Sequence, residues 1–313
     1  MGGGVLLLLA GAEALVRGAS AMALRFGVSP LVVGLTVVAI GTSSPELVVT
    51  VGAALEGEGG VALGNVVGSN VANLALIVGL AAALKPAVVD RKLLTHDTPV
   101  MLVGMVLLLV ALIDGTLARW EGAVLTLGAV AYTVDSIRSS RRETREAREV
   151  DLPPEVEAAL AESRSAIGKH VLFVLGGIAL LVYGADLLVT GAIATATLLG
   201  VSEAVIGLTL VALGTSLPEL ATTVVASMRG QGEIALGNAI GSNIFNVFGV
   251  IGPAALLVPF ARGDVGNGAL AIMIGVGLLT YGLLFVGERT ARWKGGVLLA
   301  SYAGYPWWVV QPP

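Results

Sequence analysis

The chain has 313 residues, 56% of them hydrophobic and 13% charged, with a net charge of -4 and no cysteine. Its mean hydropathy of +0.90 lies far outside the range of soluble globular domains, which excludes a water-soluble enzyme or a nucleic-acid-binding module and places the chain in a bilayer. Without cysteine, neither disulfides nor thiolate metal sites are available.

Ten transmembrane helices are predicted, over roughly 4–24, 29–55, 60–84, 97–114, 120–137, 170–199, 202–228, 234–259, 267–287 and 293–310, because each stretch is apolar over the ~20 residues that cross a hydrocarbon core. Long apolar runs exclude a transmembrane barrel, which would show short alternating segments. The first stretch is read as a helix and not as a cleaved signal, since Met1-Gly-Gly-Gly carries no basic residue and no Ala-x-Ala site follows. It contains Glu13 and Arg17, four apart in acid-before-base order, which are read as a structural pair or an interfacial anchor. The second stretch carries Gly41-Thr-Ser-Ser-Pro-Glu46, and the third Gly64-Asn-Val-Val-Gly-Ser-Asn-Val-Ala-Asn73. His96 and His170 fall at predicted helix edges and are read as interfacial side chains. Residues 139–168 form the one substantial soluble piece, a charged linker that includes Pro153 and Pro154. The tail at Pro306-Trp-Trp suits an aromatic belt at the outer interface.

The second half repeats the first. Gly27–Leu47 recurs as Gly200–Leu220, 173 residues on, and the same offset takes Gly11–Ala19 onto Gly184–Ala192 and Leu63–Asn73 onto Leu236–Asn246. Apolar composition alone does not preserve Pro, Glu, Asn and Gly at one constant offset. With five helices in each half, residues 1–138 and 169–313 joined by the linker, the second copy starts on the opposite side of the membrane. The expected fold is therefore an all-α polytopic protein of two inverted five-helix repeats. An N-terminus outside puts fifteen of the eighteen Lys and Arg on the cytoplasmic side, linker included.

A carboxylate in the middle of a membrane helix costs about 2.5–3.5 kcal/mol on insertion scales, so Glu46 and Glu219 are functional candidates. Pro45 and Pro218 have no amide hydrogen for the carbonyls of Gly41 and Gly214, and their rings clash with the preceding turn, so each helix is predicted to break there. Carbonyls freed inside a bilayer must face protein, water or an ion. Together with the hydroxyls of Thr42, Ser43, Thr215 and Ser216, the two carboxylates make an all-oxygen, doubly negative site suited to hard cations. Calcium takes about six to eight such oxygens, and magnesium holds its water too tightly to fit as well. Two carboxylates neutralise one calcium or two sodium ions.

The spacing by four of Asn65, Ser69 and Asn73 gives one polar stripe on the third helix, repeated by Asn238, Ser242 and Asn246 on the eighth. Ser69, Asn73, Ser242 and Asn246 are read as ligands, and Asn65, Asn70, Asn238 and Asn243 as interhelical hydrogen-bonding residues. Gly64 with Gly68, and Gly237 with Gly241, are expected to let helices approach closely.

These paired motifs resemble the two alpha-repeats of the calcium/cation antiporter superfamily, specifically its prokaryotic sodium/calcium exchangers, with the motif regions at 39–73 and 212–246. The resemblance implies a core of helices two, three, seven and eight holding four adjacent cation positions, against which the long first and sixth helices slide. Carried over by position, the ligands fall on the carbonyl of Ala39, on Thr42, Ser43, Glu46, Ser69 and Asn73, and on the carbonyl of Ala212, Thr215, Ser216, Glu219, Ser242 and Asn246. Asn246 stands where potassium-dependent relatives carry aspartate, which argues against potassium coupling. The proton-coupled branch shows Gly-Asn-x-x-Glu in place of Gly-Thr-Ser-x-Pro-Glu, so sodium is the implied counter-ion, and the large regulatory domain of animal exchangers is absent.

The function read from the sequence is exchange of Na+ for Ca2+ by alternating access, without enzymatic chemistry or an organic cofactor. Proton/calcium exchange on the same fold is the alternative. A passive channel is disfavoured because the oxygens form a closed constellation and not a filter of repeated carbonyl loops. A hydrolase is disfavoured because neither His-Glu-x-x-His nor Gly-x-Ser-x-Gly occurs. The expected partners are the two ions and the lipid bilayer, with no nucleic acid and no obligatory protein partner. The expected location is the plasma (inner) membrane of a prokaryote.

Overall fold

The computed structural model describes residues 2–148, 167–199 and 212–310. Most of the linker and the start of the predicted seventh helix, residues 202–211, lie outside the described residues, as do the side chains of Trp307 and Trp308.

The first helix, α1 (Gly2–Phe26), is followed by a broken one. Ser29 opens it by accepting the Val32 N–H at 3.3 Å, with Pro30 in the first turn where its missing N–H costs nothing. The chain then runs through α2 (Pro30–Val33), a π-helical stretch (Gly34–Val38) and α3 (Ala39–Thr42), and resumes after Ser43 as α4 (Ser44–Leu55). The two parts meet at 46°. The third element is α5 (Gly59–Val71), a π-helical stretch (Ala72–Ile77) and α6 (Val78–Leu84). A π-helical turn (Leu93–Asp97) leads into α7 (Thr98–Ala111), and α8 (Arg119–Arg148) ends the first half.

The second half opens with α9 (Ile167–Leu198). A short turn α10 (Ala212–Gly214) and α11 (Leu217–Met228) flank the second break. Next come α12 (Gly232–Phe245), a π-helical stretch (Asn246–Ile251) and α13 (Gly252–Leu257), then α14 (Asn267–Phe285) and α15 (Arg292–Val310).

Among the described residues six helices are long and apolar enough to cross a membrane, or seven if the bent pair Pro30–Thr42 and Ser44–Leu55 counts as one. The predicted spans over 120–137 and 293–310 do not meet that measure, and the span over 202–228 lies partly outside the described residues. α8 starts with Arg119 and Glu121 and continues without a break through Arg141, Arg142, Arg145 and Arg148, so the charged start of the linker is helical. α15 starts with Arg292 and Lys294. Of the seventh span, only the part after residue 211 is described.

α1 and α9 lie antiparallel with their main chains nearly touching. A Cβ on Gly4, Gly11 or Gly18 would fall 2.8–2.9 Å from the carbonyl oxygens of Gly184, Gly177 and His170 respectively. The seven-residue spacing of these glycines keeps them on one stripe of α1, and small residues there allow the approach. Glu13, also on α1, bonds Arg17 at 2.6 Å and is gripped by Arg229, whose Nε lies 2.6 Å from Glu13 Oε2. The sequence reading pairs Glu13 with Arg17 and does not reach Arg229.

Short β contacts join the halves. β1 (Thr116–Leu117) pairs antiparallel with β2 (Phe260–Ala261), and Val88 bridges Arg289 beside a 2.8 Å bond from Thr290 N–H to the Ala87 carbonyl. His96 sits between Asp97, at 3.0 Å, and Asp135, at 3.3 Å, and stacks on Tyr132, which ties the start of α7 to α8.

Candidate cation-binding site

Both predicted helix breaks are present. Ser43 and Ser216 occupy equivalent positions between helical pieces, with φ/ψ of -82°/8° and -88°/5°. Pro45 and Pro218 follow each break within the first turn of the resuming helix, where a missing N–H is tolerated. The main-chain path differs between halves. Ser43 N–H bonds the Ala39 carbonyl at 2.9 Å, whereas Ser216 N–H takes the tighter bond to Leu213, at 3.2 Å. Thr42 Oγ1 lies 3.4 Å from the same Ala39 oxygen. Ala212 opens the described part of the second break. α9 passes behind both breaks, its Ile178 against Gly41 and its Val189 against Gly214.

The breaks bring the two glutamates to the centre, both fully buried, where each is held by the other half of the chain. Ser43 Oγ donates to Glu219 Oε1 at 2.9 Å, and Ser216 Oγ donates to Glu46 Oε1 at 3.3 Å. Within each half the third-position helix adds a second hydroxyl at 3.5 Å, from Ser69 to Glu46 Oε1 and from Ser242 to Glu219 Oε1. Ser69 Oγ also lies 3.5 Å from Thr215 Oγ1. The 173-residue offset of the sequence is thus a reciprocity of contacts.

A second set of bonds repeats with the same offset. Asn65 Nδ2 donates to the Glu46 carbonyl at 3.5 Å and to Thr50 Oγ1 at 3.1 Å. Asn238 Nδ2 donates to the Glu219 carbonyl at 3.3 Å and to Thr223 Oγ1 at 3.0 Å. Across the halves, Thr42 Oγ1 donates to Asn238 Oδ1 at 3.0 Å and Thr215 Oγ1 to Asn65 Oδ1 at 3.3 Å. Asn65 and Asn238 therefore hydrogen-bond between helices, as read from the sequence. Thr50 and Thr223 were not singled out there, although each follows its glutamate by four residues and survives the offset.

The asparagines at the far end of each stripe behave differently. Asn73 and Asn246 are fully buried and sit in π-helical turns, which periodicity does not foresee and which recur at functional sites. Asn246 Nδ2 donates to Asn70 Oδ1 at 3.0 Å, and Asn70 Nδ2 approaches Met273 Sδ at 3.5 Å. Asn243 Nδ2 bonds back to the Ala239 carbonyl at 2.7 Å. Gly237 and Gly241 lie close to the main chain of Leu31 and Leu35, where an added Cβ would fall 2.7 Å from it in each case, as expected. A Cβ on Gly64 or Gly68 would come no nearer than 3.9 Å to a described atom of another element, and the positions equivalent to Leu31 and Leu35 lie outside the described residues.

Among the described residues, the buried oxygens Glu46 Oε2, Glu219 Oε2, Asn73 Oδ1 and Asn246 Oδ1 have no hydrogen-bond partner, nor has Asn73 Nδ2. A buried acceptor without a donor is costly, and a buried ionised one more so. Among the described residues no group of three or more His, Asp or Glu is placed to hold a metal, so the donor set here is two carboxylates among hydroxyls and amides. That chemistry fits hard monovalent or divalent cations better than transition metals.

The sodium/calcium exchanger protein family is matched over residues 1–137 and 169–311. The chain is 35% identical over 306 residues to the putative antiporter CaxA of Alkalimonas amylolytica, covering 96% of this chain and 95% of that protein. It is 34% identical over 332 aligned positions to the sodium/calcium exchanger MaX1 of Methanosarcina acetivorans, covering 96% and 95%. Among solved structures it is similar to the sodium-calcium exchanger NCX_Mj soaked with 2.5 mM Na+ and 0.1 mM Ca2+, with a TM-score of 0.83 and 31% identity over 99% of this chain and 97% of that one.

Proposed function

The chain belongs to the sodium/calcium exchanger protein family, and from that premise we propose that it is an integral membrane antiporter that moves Ca2+ against Na+ through one shared, all-oxygen site. The observation that carries this reading is the pair Glu46 and Glu219, each fully buried, each held by a serine of the opposite half, and each with one carboxylate oxygen that has no partner among the described residues. Two such charges balance one calcium or two sodium ions, so the ions compete for the same oxygens.

The proposed ligands are the carbonyls of Ala39 and Ala212 with Thr42, Ser43, Glu46, Ser69, Asn73, Thr215, Ser216, Glu219, Ser242 and Asn246. Both ions are cargo, and no organic cofactor is required. The proposed frame is ten helices in two inverted repeats, residues 1–138 and 169–313, with the N-terminus outside the plasma membrane of a prokaryote. Inverted repeats allow the inward- and outward-open states to be related by the pseudo-two-fold axis in the membrane plane, around a fixed midplane site. The close glycine contact of α1 with α9 supports treating those two helices as the unit that moves in alternating access. Asn246, a neutral amide, supports sodium without potassium.

The test is 45Ca2+ uptake into proteoliposomes, driven in one arm by internal sodium and in another by a pH gradient without sodium. The proposal predicts uptake in the first arm alone. Uptake that ignores internal sodium and follows pH assigns proton coupling instead. Uptake without any opposing ion gradient points to a passive pore.

A further inference from the structure

Asn65 and Asn238 lie one layer behind the proposed ligands, and their hydrogen bonds decide what those ligands can offer an ion. The carbonyls of Glu46 and Glu219 can only accept, so the amide edge that meets each of them must be Nδ2. The same Nδ2 also reaches Thr50 or Thr223, so both of its hydrogens are committed within its own half. Oδ1 is thereby fixed toward the other half, where it accepts the hydroxyl hydrogen of Thr42 or Thr215.

A threonine hydroxyl has one hydrogen and two lone pairs. If the hydrogen points at the ion position, the oxygen there is a poor ligand. For Thr42 the competing acceptors are the Ala39 carbonyl at 3.4 Å, itself a proposed ligand, and the Glu219 carboxyl, against 3.0 Å to Asn238 Oδ1. Drawing the hydrogen to Asn238 leaves lone pairs on both Thr42 and Ala39 for a cation. Thr215 stands to Asn65 in the same relation.

We propose that Asn238 and Asn65 are positioning residues for ion binding: each turns the threonine of the opposite half into a pure lone-pair donor and so sets the site's affinity for sodium. This inference rests on the reading of Thr42 and Thr215 as ligands. It is tested by a double-substitution cycle, because groups that act through one another give non-additive effects. The readout is sodium half-saturation of calcium efflux from proteoliposomes, with the maximal rate recorded separately and monodispersity checked by size exclusion.

Asn238→Ala is expected to raise the sodium half-saturation about tenfold, the scale of one buried hydrogen bond. In a Thr42→Val background the same change is expected to add less than about twofold, since the hydroxyl it orients is gone. Thr42→Ser keeps a hydroxyl and should restore the full effect of Asn238→Ala. If Asn238→Ala does not give monodisperse protein, Asn65→Ala with Thr215→Val reads the same coupling in the related position. Additive losses, with the double variant showing the product of the single ones, overturn the inference and leave the ligand assignment standing. A Thr42→Val variant with unchanged sodium half-saturation removes Thr42 from the ligand set, and the inference falls with it.

Discussion

The contact between α1 and α9 makes a prediction whose size follows from the coordinates. At Gly11 an added Cβ would lie 2.8 Å from both Gly177 O and Leu181 N, against 3.4 Å for the start of ordinary contact, a shortfall of about 0.6 Å. Both atoms are main chain in a continuous helix, so no side chain can swing away, and Gly4 and Gly18 hold the same interface closed one heptad on either side. Overpacking of this kind costs about 1–3 kcal/mol. Alanine in place of glycine also favours a helix by up to about 1 kcal/mol, which must be separated out. Gly176 supplies the control, because it neighbours Gly177 on α9 and an added Cβ there meets nothing within 4 Å. Gly11→Ala should therefore be less stable than Gly176→Ala by about 1–3 kcal/mol, read as a lower midpoint in tryptophan-fluorescence melts in detergent. If the two variants melt together, or Gly176→Ala melts lower, the close helix contact is wrong.

Five further substitutions, four of them in the site, have expected outcomes. Glu46→Gln and Glu219→Gln keep an oxygen for the opposite serine but remove one of two charges, so each should cut sodium-driven calcium uptake by about 100-fold or more while the protein stays monodisperse. Ser43→Ala removes the 2.9 Å bond to Glu219 and should weaken calcium half-saturation by about ten- to 100-fold, the scale of a hydrogen bond to a charged group. Ser216→Ala, whose bond to Glu46 is 3.3 Å, should cost less in the same assay. Arg229→Ala breaks the tie to Glu13 between partly exposed groups, so it should cost about 1 kcal/mol or less in melts, and less still in high salt.

Much of this site could be read before the structure because its physics is written in residue types that are costly in a membrane. Proline and glutamate together in an apolar run announce a break and a charge that need a purpose, and the structure has the breaks at Ser43 and Ser216 with both glutamates buried. The constant offset foretold that the halves match, and hydrogen bonds such as Ser43 to Glu219 and Ser216 to Glu46 do so pair by pair. Partner identity across the halves was not legible, because periodicity describes one helix at a time. Thr50, Thr223 and the bonds from Thr42 to Asn238 and from Thr215 to Asn65 depend on how helices cross.

The π-helical turns at Asn73 and Asn246 were hidden for a related reason, since a spacing of four assumes an unbroken α-helix. Span counting from apolarity was least secure where charge enters a helix. α8 carries a basic tail in the same continuous helix as its apolar stretch, and length and composition do not mark where it leaves the bilayer. The stripe of Gly4, Gly11 and Gly18 on α1 was not singled out from the sequence, because nothing in a single helix says which neighbour its glycines admit.

The central claim is that sodium and calcium share the oxygens gathered by Glu46 and Glu219, and calcium titration calorimetry in detergent at increasing sodium tests it most directly. The account predicts calcium binding whose apparent affinity falls steadily with sodium, and its loss in Glu46→Gln and Glu219→Gln. Calcium affinity that does not change with sodium, or calcium binding that survives both substitutions, would contradict it.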